Sequence, residues 1–178
     1  NKMKIILTGA SGYIGSQLVD LWLKDNRIEE IIAIDLKDPK FLFEESGPKI
    51  RFIKKNVADI DFEKEIPNPE EINAVVHAAY LIRTPYFKKD IEFQDRSNFV
   101  GAENIFRFAL RNNISRLVHF STVAVYGADP KNNFTRLFKE EDELREVHIK
   151  YGVDKKSIER NLEELVSKYH AETTVSAL

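Results

Sequence analysis

The chain has 178 residues, of which 43% are hydrophobic and 31% charged, a composition that fits one globular domain with a sizeable core. Its 27 basic and 29 acidic residues leave a net charge of −2, so electrostatics gives no reason to expect nucleic acid or an anionic membrane as partner. The absence of cysteine excludes disulfides, a thiolate nucleophile and cysteine-ligated zinc, and no apolar run approaches the ~20 residues that cross a bilayer.

The first four residues, Asn1-Lys2-Met3-Lys4, lead straight into an apolar segment with no small-residue cleavage site after it. Met3 reads as the natural start, and the cytoplasm is the expected location. Lys4 to Leu7 predicts the first strand. Tyr13 to Leu23 predicts a helix, with Ile14, Leu18, Leu21 and Trp22 recurring at helical spacing along one apolar face. Ile31 to Ile34 is a second strand ending at Asp35, Arg51 to Lys55 a third, and Ala74 to His77 a fourth, apolar enough to be central.

A helix is expected from Asn98 to Leu110, with Ala102, Ile105, Phe106 and Ala109 on its buried stripe. Leu117 to Phe120 makes a fifth strand. Tyr151 to Tyr169 is the longest expected helix, buried along Ile158, Leu162, Leu165, Val166 and Tyr169, and Thr173 to Leu178 opens a sixth strand. Strands alternating with helices predict an α/β fold, a doubly wound parallel sheet in the order 3-2-1-4-5-6. The stretches 37–49, 80–97 and 127–150 read as polar connections, the last two longer than structure alone requires.

Residues 8–15 read Thr-Gly-Ala-Ser-Gly-Tyr-Ile-Gly, directly after a strand and opening a helix. In that context Gly9 permits a tight turn, Gly12 lets backbone approach phosphates, and Gly15 lets the helix pack close to the sheet. The helix N-terminus then offers free N–H groups and a partial positive charge to a pyrophosphate. Three of the seven glycines fall in these seven positions. Twenty residues beyond Gly15, Asp35 ends the second strand, where a carboxylate accepts from both ribose hydroxyls and repels a 2′-phosphate. The expected cofactor is therefore NAD, with NADP less favoured; Lys37, close by, works against that selectivity.

With these residues in place the chain resembles the extended short-chain dehydrogenase/reductase family, the NAD-dependent epimerases and dehydratases with a Rossmann fold. Its glycine spacing is that of the extended branch. Asn56-Val-Ala-Asp59-Ile60 is similar to the family segment that contacts adenine, and Val76-His77-Ala78-Ala79 to the fourth-strand signature lining the cofactor. Asn98-Phe-Val-Gly101 resembles the family's Asn-x-x-Gly. Phe120-Ser121-Thr122-Val-Ala-Val-Tyr126-Gly127 resembles its fifth-strand motif, and Tyr151-Gly-Val-Asp-Lys155 its Tyr-x-x-x-Lys pair. The resemblance implies a cofactor site at Gly9, Ser11, Gly12, Tyr13, Ile14, Gly15, Asp35, Leu36, Asp59, Ile60, Ala78, Ala79, Tyr80, Asn98, Tyr151 and Lys155. It implies catalysis by Tyr151, Lys155 and Thr122, and no metal.

Spacing i, i+4 places Tyr151 and Lys155 on one helix face. A phenol is a poor base at neutral pH, and a nearby ammonium favours its ionised form. Tyr151 would then take the proton of a substrate hydroxyl as hydride leaves its carbon, Lys155 would also donate to the cofactor ribose, and Thr122, with Ser121 as the neighbouring alternative, would orient the hydroxyl. Val123-Ala124 after Thr122 departs from the dehydratases' Asp-Glu and favours epimerase or dehydrogenase chemistry on a nucleotide sugar or similar substrate. A non-catalytic NAD(P)-binding sensor is the alternative reading.

Tyr126 lacks a lysine four residues on, since position 130 is Pro130, and is not expected to be the base. His77 reads as a satisfied core histidine, His119, His148 and His170 show no metal spacing, and Glu140-Glu141-Asp142 reads as a solvated acidic face. The resemblance implies a homodimer packed through the helices at 98–113 and 151–169, and Phe99, Phe106 and Phe108, which cannot all face one sheet, are consistent with a second buried face. The family's enzymes run well past 178 residues, so the expectation is a Rossmann domain whose C-terminal substrate domain, the lid, is absent.

Overall fold

The computed structural model describes residues 2–39, 49–82, 88–129, 132–133 and 135–178. Within them lie β1 (Met3–Thr8), α1 (Tyr13–Leu23), β2 (Ile28–Asp35), β3 (Ile50–Lys54), β4 (Ala74–His77), α2 (Lys88–Arg111), β5 (Arg116–His119), α3 (Lys150–Tyr169) and β6 (Thr174–Ala177). Short 3-10 turns occupy Phe62–Glu65, Pro69–Glu71 and Val123–Tyr126. The strands form one parallel sheet in the order β3-β2-β1-β4-β5-β6, the doubly wound order expected. The order reverses between β1 and β4, so the turns leaving these two strands flank a crevice at their carboxyl ends.

Period-two alternation sends neighbouring strand residues to opposite faces. Ile5 and Leu7 pack with Ala10, Val19, Ile31 and Val76 on the side covered by α1. Ile6 turns the other way, with Ile32, Ile34, Val75 and Leu117, to meet α2 and α3 through Ile105, Phe106, Ile158 and Leu162. Every central strand is thus apolar on both sides, as a parallel sheet between helical layers requires.

Three expectations are corrected. Helix α2 begins at Lys88, ten residues earlier than its apolar stripe indicated, so it takes in most of the described part of the expected 80–97 connection. Residues 40–48 and 83–87, and three positions in 127–150, lie outside the described residues. In α1 the buried positions are Gly15 and Val19, with Leu18 and Trp22 beside them, while Ile14 and Leu21 are exposed. At 100° per residue both point well away from the Val19 direction that touches the sheet.

Phe99, Phe106 and Phe108 of α2 are absorbed by the chain itself. Phe106 meets the His77 and His119 rings edge-on, Phe108 packs edge-on against Phe62 with centroids 6.0 Å apart, and Phe99 is partly buried against the same core. The second buried face is therefore supplied by the 3-10 turn at Phe62–Glu65, and these residues carry no argument for a partner.

Candidate functional site

The glycine turn is built by contacts that exclude side chains. Gly9 has φ +75°, and a Cβ there would lie 2.7 Å from Ala78 C and Ala79 N at the end of β4. A Cβ on Gly15 would lie 2.1 Å from Gly9 O, so the third glycine admits the turn onto the helix rather than the helix onto the sheet. Gly12 differs: it is exposed, and its Cβ would meet only Gly9 O, at 3.1 Å. Its lack of a side chain leaves room on the outer side of the turn. Gly12 also stands at the N-cap of α1, where no side chain caps the helix and the first turn carries no acid. The first hydrogen bond there runs from Ser16 N–H to Gly12 O, which leaves the Tyr13, Ile14 and Gly15 N–H groups outside the α-helical ladder at the positive end of the helix.

Asp35 ties this turn to β2. Its Oδ2 accepts from Ser11 N–H and its Oδ1 from Lys37 N–H, both at 2.9 Å, and Ser11 Oγ donates to Lys37 O at 2.8 Å. The carboxylate is half-buried with each oxygen pinned by one backbone donor, so its remaining lone pairs have a fixed direction. A cleft opens beside it, lined by Gly9, Ser11, Gly12, Asp35, Leu36, Ala78, Ala79, Tyr80 and Asn98 among the expected positions. Tyr13, Ile14, Gly15, Asp59, Ile60, Tyr151 and Lys155 are not among its lining residues. Ile60 is 98% exposed and Tyr13 85%, apolar surfaces with no cover among the described residues.

Polar side chains clamp the loops of the wall, two of them, Asn98 and Asn56, in the segments the sequence marked and one, Arg96, with no individual signal there. Asn98 spends both ends of its amide on Leu81, accepting from its N–H at 2.7 Å and donating to its carbonyl at 2.9 Å, so it fixes the strand-four loop. Asn56 donates to Ser97 Oγ and accepts from Ala58 N–H. Arg96 donates to Ala58 O and pairs with Asp59, which holds the segment carrying Ile60 against α2. Hydrophobic periodicity cannot single out such polar clamps.

Beneath the cleft lies a buried imidazole pair. His77 Nδ1 is 2.6 Å from Thr8 Oγ1, and its ring stacks on His119 at 5.4 Å. Burial, followed by the Lys155 charge, holds His77 down to about 3, and burial with the His77 and Lys155 charges holds His119 well below its ordinary value. The native state therefore refuses protons that the unfolded chain accepts below about pH 6.5, and stability falls as pH drops from there towards 3. His77 alone should cost about 2 kcal/mol between pH 7.5 and pH 5. Urea unfolding at both pH values checks this, and the difference should shrink in His77→Asn; an equal loss in the variant would rule the histidine out as its source.

Across Tyr80 from the cleft, Tyr151 and Lys155 emerge from the first turns of α3. Lys155 is 4% exposed, and its Nζ donates to Phe120 O at 2.6 Å and lies 4.5 Å from the Tyr80 ring centroid. Burial lowers its pKa to about 8, with Glu159 opposing the shift. Tyr151 remains 40% exposed, its ring edge-on to Tyr80 at 5.3 Å. Gly152 lets α3 approach the 3-10 turn, since a Cβ there would lie 2.6 Å from Ala124 O. That contact brings the turn capped by Thr122 up to Tyr151. Thr122 Oγ1 accepts from Ala124 N–H at 3.3 Å and keeps its hydroxyl proton to donate, whereas Ser121 Oγ is bonded to Glu159. Tyr126 stacks on Phe138, and burial with Glu140 and other nearby acids raises its pKa, so it is the weaker candidate for a base.

The donors fit a dinucleotide in kind: bare helix N–H groups for phosphates, a fixed carboxylate for hydroxyls and exposed apolar surface at Ile60 for a flat ring. Comparison with known proteins agrees. Residues 5–178 match the model of the NAD dependent epimerase/dehydratase family. A dTDP-D-glucose 4,6-dehydratase of Dictyostelium discoideum is 27% identical over 94% of this chain and 40% of its own length. A UDP-glucose 4-epimerase of Lactobacillus helveticus is 30% identical over 72% of this chain and 38% of its own. Among solved structures, a UDP-N-acetylglucosamine 4-epimerase from Methanobrevibacter ruminantium M1 superposes with a TM-score of 0.78 at 26% identity, over 99% of this chain and 54% of that one. The chain thus spans about half the length, or less, of the relatives it matches.

Proposed function

The chain belongs to the NAD dependent epimerase/dehydratase family, and we propose that it forms the dinucleotide-binding half of an enzyme acting on a secondary alcohol of a nucleotide sugar. The observation that carries this reading is the convergence of two independent sets of residues on one end of the sheet. The Gly9–Gly15 turn with Asp35 stands on one side, Tyr151, Lys155 and Thr122 stand on the other, and Tyr80 lines the cleft of the first set while touching Tyr151 and Lys155 of the second. The sugar nucleotides in the relatives' names support the substrate class. The choice between epimerisation and dehydrogenation rests on Val123-Ala124 after Thr122.

NAD, when bound, supplies the hydride acceptor. The Tyr13, Ile14 and Gly15 N–H groups would hold its pyrophosphate, Asp35 would hold its adenosine ribose, and Ile60 would offer an apolar surface to its adenine. Thr122 donates to the substrate hydroxyl and orients it. Tyr151 Oη takes the hydroxyl proton and returns it in the reverse step. Lys155 places an ammonium beside both and donates to the cofactor's second ribose, for which its bond to Phe120 O must be shared or released. A second copy of the chain is the inferred partner, supported by Phe93 and Val100, exposed one heptad apart on α2.

Titration of the chain with NADH and with NADPH, followed by nicotinamide fluorescence, tests the cofactor site. NADH should bind more tightly. Asp35→Asn, which keeps an acceptor but removes the charge, should weaken NADH about tenfold and narrow the gap to NADPH. Binding of neither dinucleotide would sink the reading of the glycine turn, and a preference for NADPH would overturn the role given to Asp35.

A further inference from the structure

We propose that Tyr80 is the positioning residue of the Tyr151–Lys155 pair, its ring seating the Lys155 ammonium and the Tyr151 edge while Asp154 aims its hydroxyl. The proposal rests on the reading of Tyr151 and Lys155 given above. Tyr80 follows the end of β4 and reaches across to α3, more than 70 residues later in the chain, where it meets three side chains in three different ways. The Lys155 Nζ lies 4.5 Å from its ring centroid, within the range of attraction between a cation and an aromatic face. The Tyr151 ring stands edge-on at 5.3 Å and 81°, the favoured orientation for two aromatic rings. The Tyr80 hydroxyl lies 3.5 Å from Asp154 Oδ2.

Asp154 gives this arrangement its direction. Its carboxylate is 3% exposed, and its other oxygen is bonded to Lys150 four residues earlier on the same helix. Lys150 with Asp154 and Tyr151 with Lys155 form two adjacent i, i+4 pairs on α3, and Tyr80 bridges them. Phenylalanine at position 80 would still offer a ring to Lys155 and to the edge of Tyr151 but leave Asp154 Oδ2 without that hydroxyl. A flexible aliphatic side chain would supply neither face nor edge.

The ionisable groups around Lys155 are Glu159 on its own helix, His77 and His119 at the ends of β4 and β5, and the two tyrosines. Burial is the largest influence on its titration, and Tyr80 is part of what covers it. The test follows the Lys155 ε-methylene resonance, assigned with Lys155→Arg, through a pH titration of the lysine-labelled chain by NMR. In the unaltered chain it should titrate near 8. In Tyr80→Leu the midpoint should rise by at least about one unit as water reaches the ammonium, a tenfold change in its proton affinity. In Tyr80→Phe it should stay within a few tenths of the unaltered value. A midpoint unchanged in Tyr80→Leu overturns the proposal even if that variant melts at a lower temperature. Tyr80→Met, closer to tyrosine in length, serves the same purpose if the leucine variant does not fold. NADH titration of Lys155→Met judges the underlying reading separately: undiminished affinity would remove Lys155 from the cofactor site without touching the Tyr80 result.

Discussion

Gly15→Ala should destabilise the chain by about 3 kcal/mol, the upper range for forcing an extra methyl into a packed interior, and should abolish NADH binding. The added carbon falls 2.1 Å from Gly9 O and 2.8 Å from Ala10 Cα, both backbone atoms with no rotamer to change. Gly9 O also accepts from Gly12 N–H at 3.0 Å, so any shift that relieves the clash pulls the turn open. Gly12→Ala is the control. Its Cβ meets only Gly9 O at 3.1 Å, so unfolding in urea should move by less than about 1 kcal/mol while NADH binding still weakens. The pair separates what the fold asks of the glycines from what a phosphate asks. A Gly15→Ala chain as stable as its parent would mean the turn is far softer than its contacts indicate.

On the function proposed above, Tyr151→Phe should lower turnover of a nucleotide sugar by about 10²- to 10⁴-fold, the usual contribution of a positioned acid/base group, while NADH affinity stays within about twofold. The ring is retained, so its edge-on contact with Tyr80 survives, and only the hydroxyl that exchanges the proton is lost. Steady-state kinetics beside the fluorescence titration gives both numbers. An effect on kcat with KM nearly unchanged places the phenol in the chemical step. Turnover insensitive to the substitution would point instead to the sensor reading, in which dinucleotide occupancy is the output and Tyr151 is an exposed helix residue.

Much of this was legible in the sequence because it rests on short-range rules. The turn from Thr8 to Gly15 declares itself by glycine placement between a strand and a helix, and Asp35 by its distance from that turn. The strand order followed from alternation of strands and helices with right-handed crossovers. His77 was read as a core histidine and is one, held by Thr8. The first ten residues of α2 were missed because Lys88-Lys89-Asp90 and Gln94-Asp95-Arg96 interrupt the apolar stripe that marked the rest. Ile14 and Leu21 were assigned to the buried face of α1 because spacing alone does not say which of two overlapping stripes meets the sheet. The roles of Asn98, Arg96 and Tyr80 depend on what stands opposite them in space, and no periodicity in one strand or helix encodes that.

The sheet order also governs how the chain must assemble. β1 lies at the centre, yet only its β2 edge can form from nearby residues; its other edge pairs Ile5 with Ala74 and Thr8 with His77. A ribosome adding roughly 5–20 residues per second would leave that second edge open for roughly 3–14 s after β1 is made. Closing a loop of that size carries an entropic cost before any contact repays it, which slows parallel sheets of this kind relative to hairpins and bundles. The strand that carries the glycine turn therefore keeps one edge open until β4 is made, and the nascent chain depends on early pairing of β1 with β2 to keep Ile5, Ile6 and Leu7 from other partners.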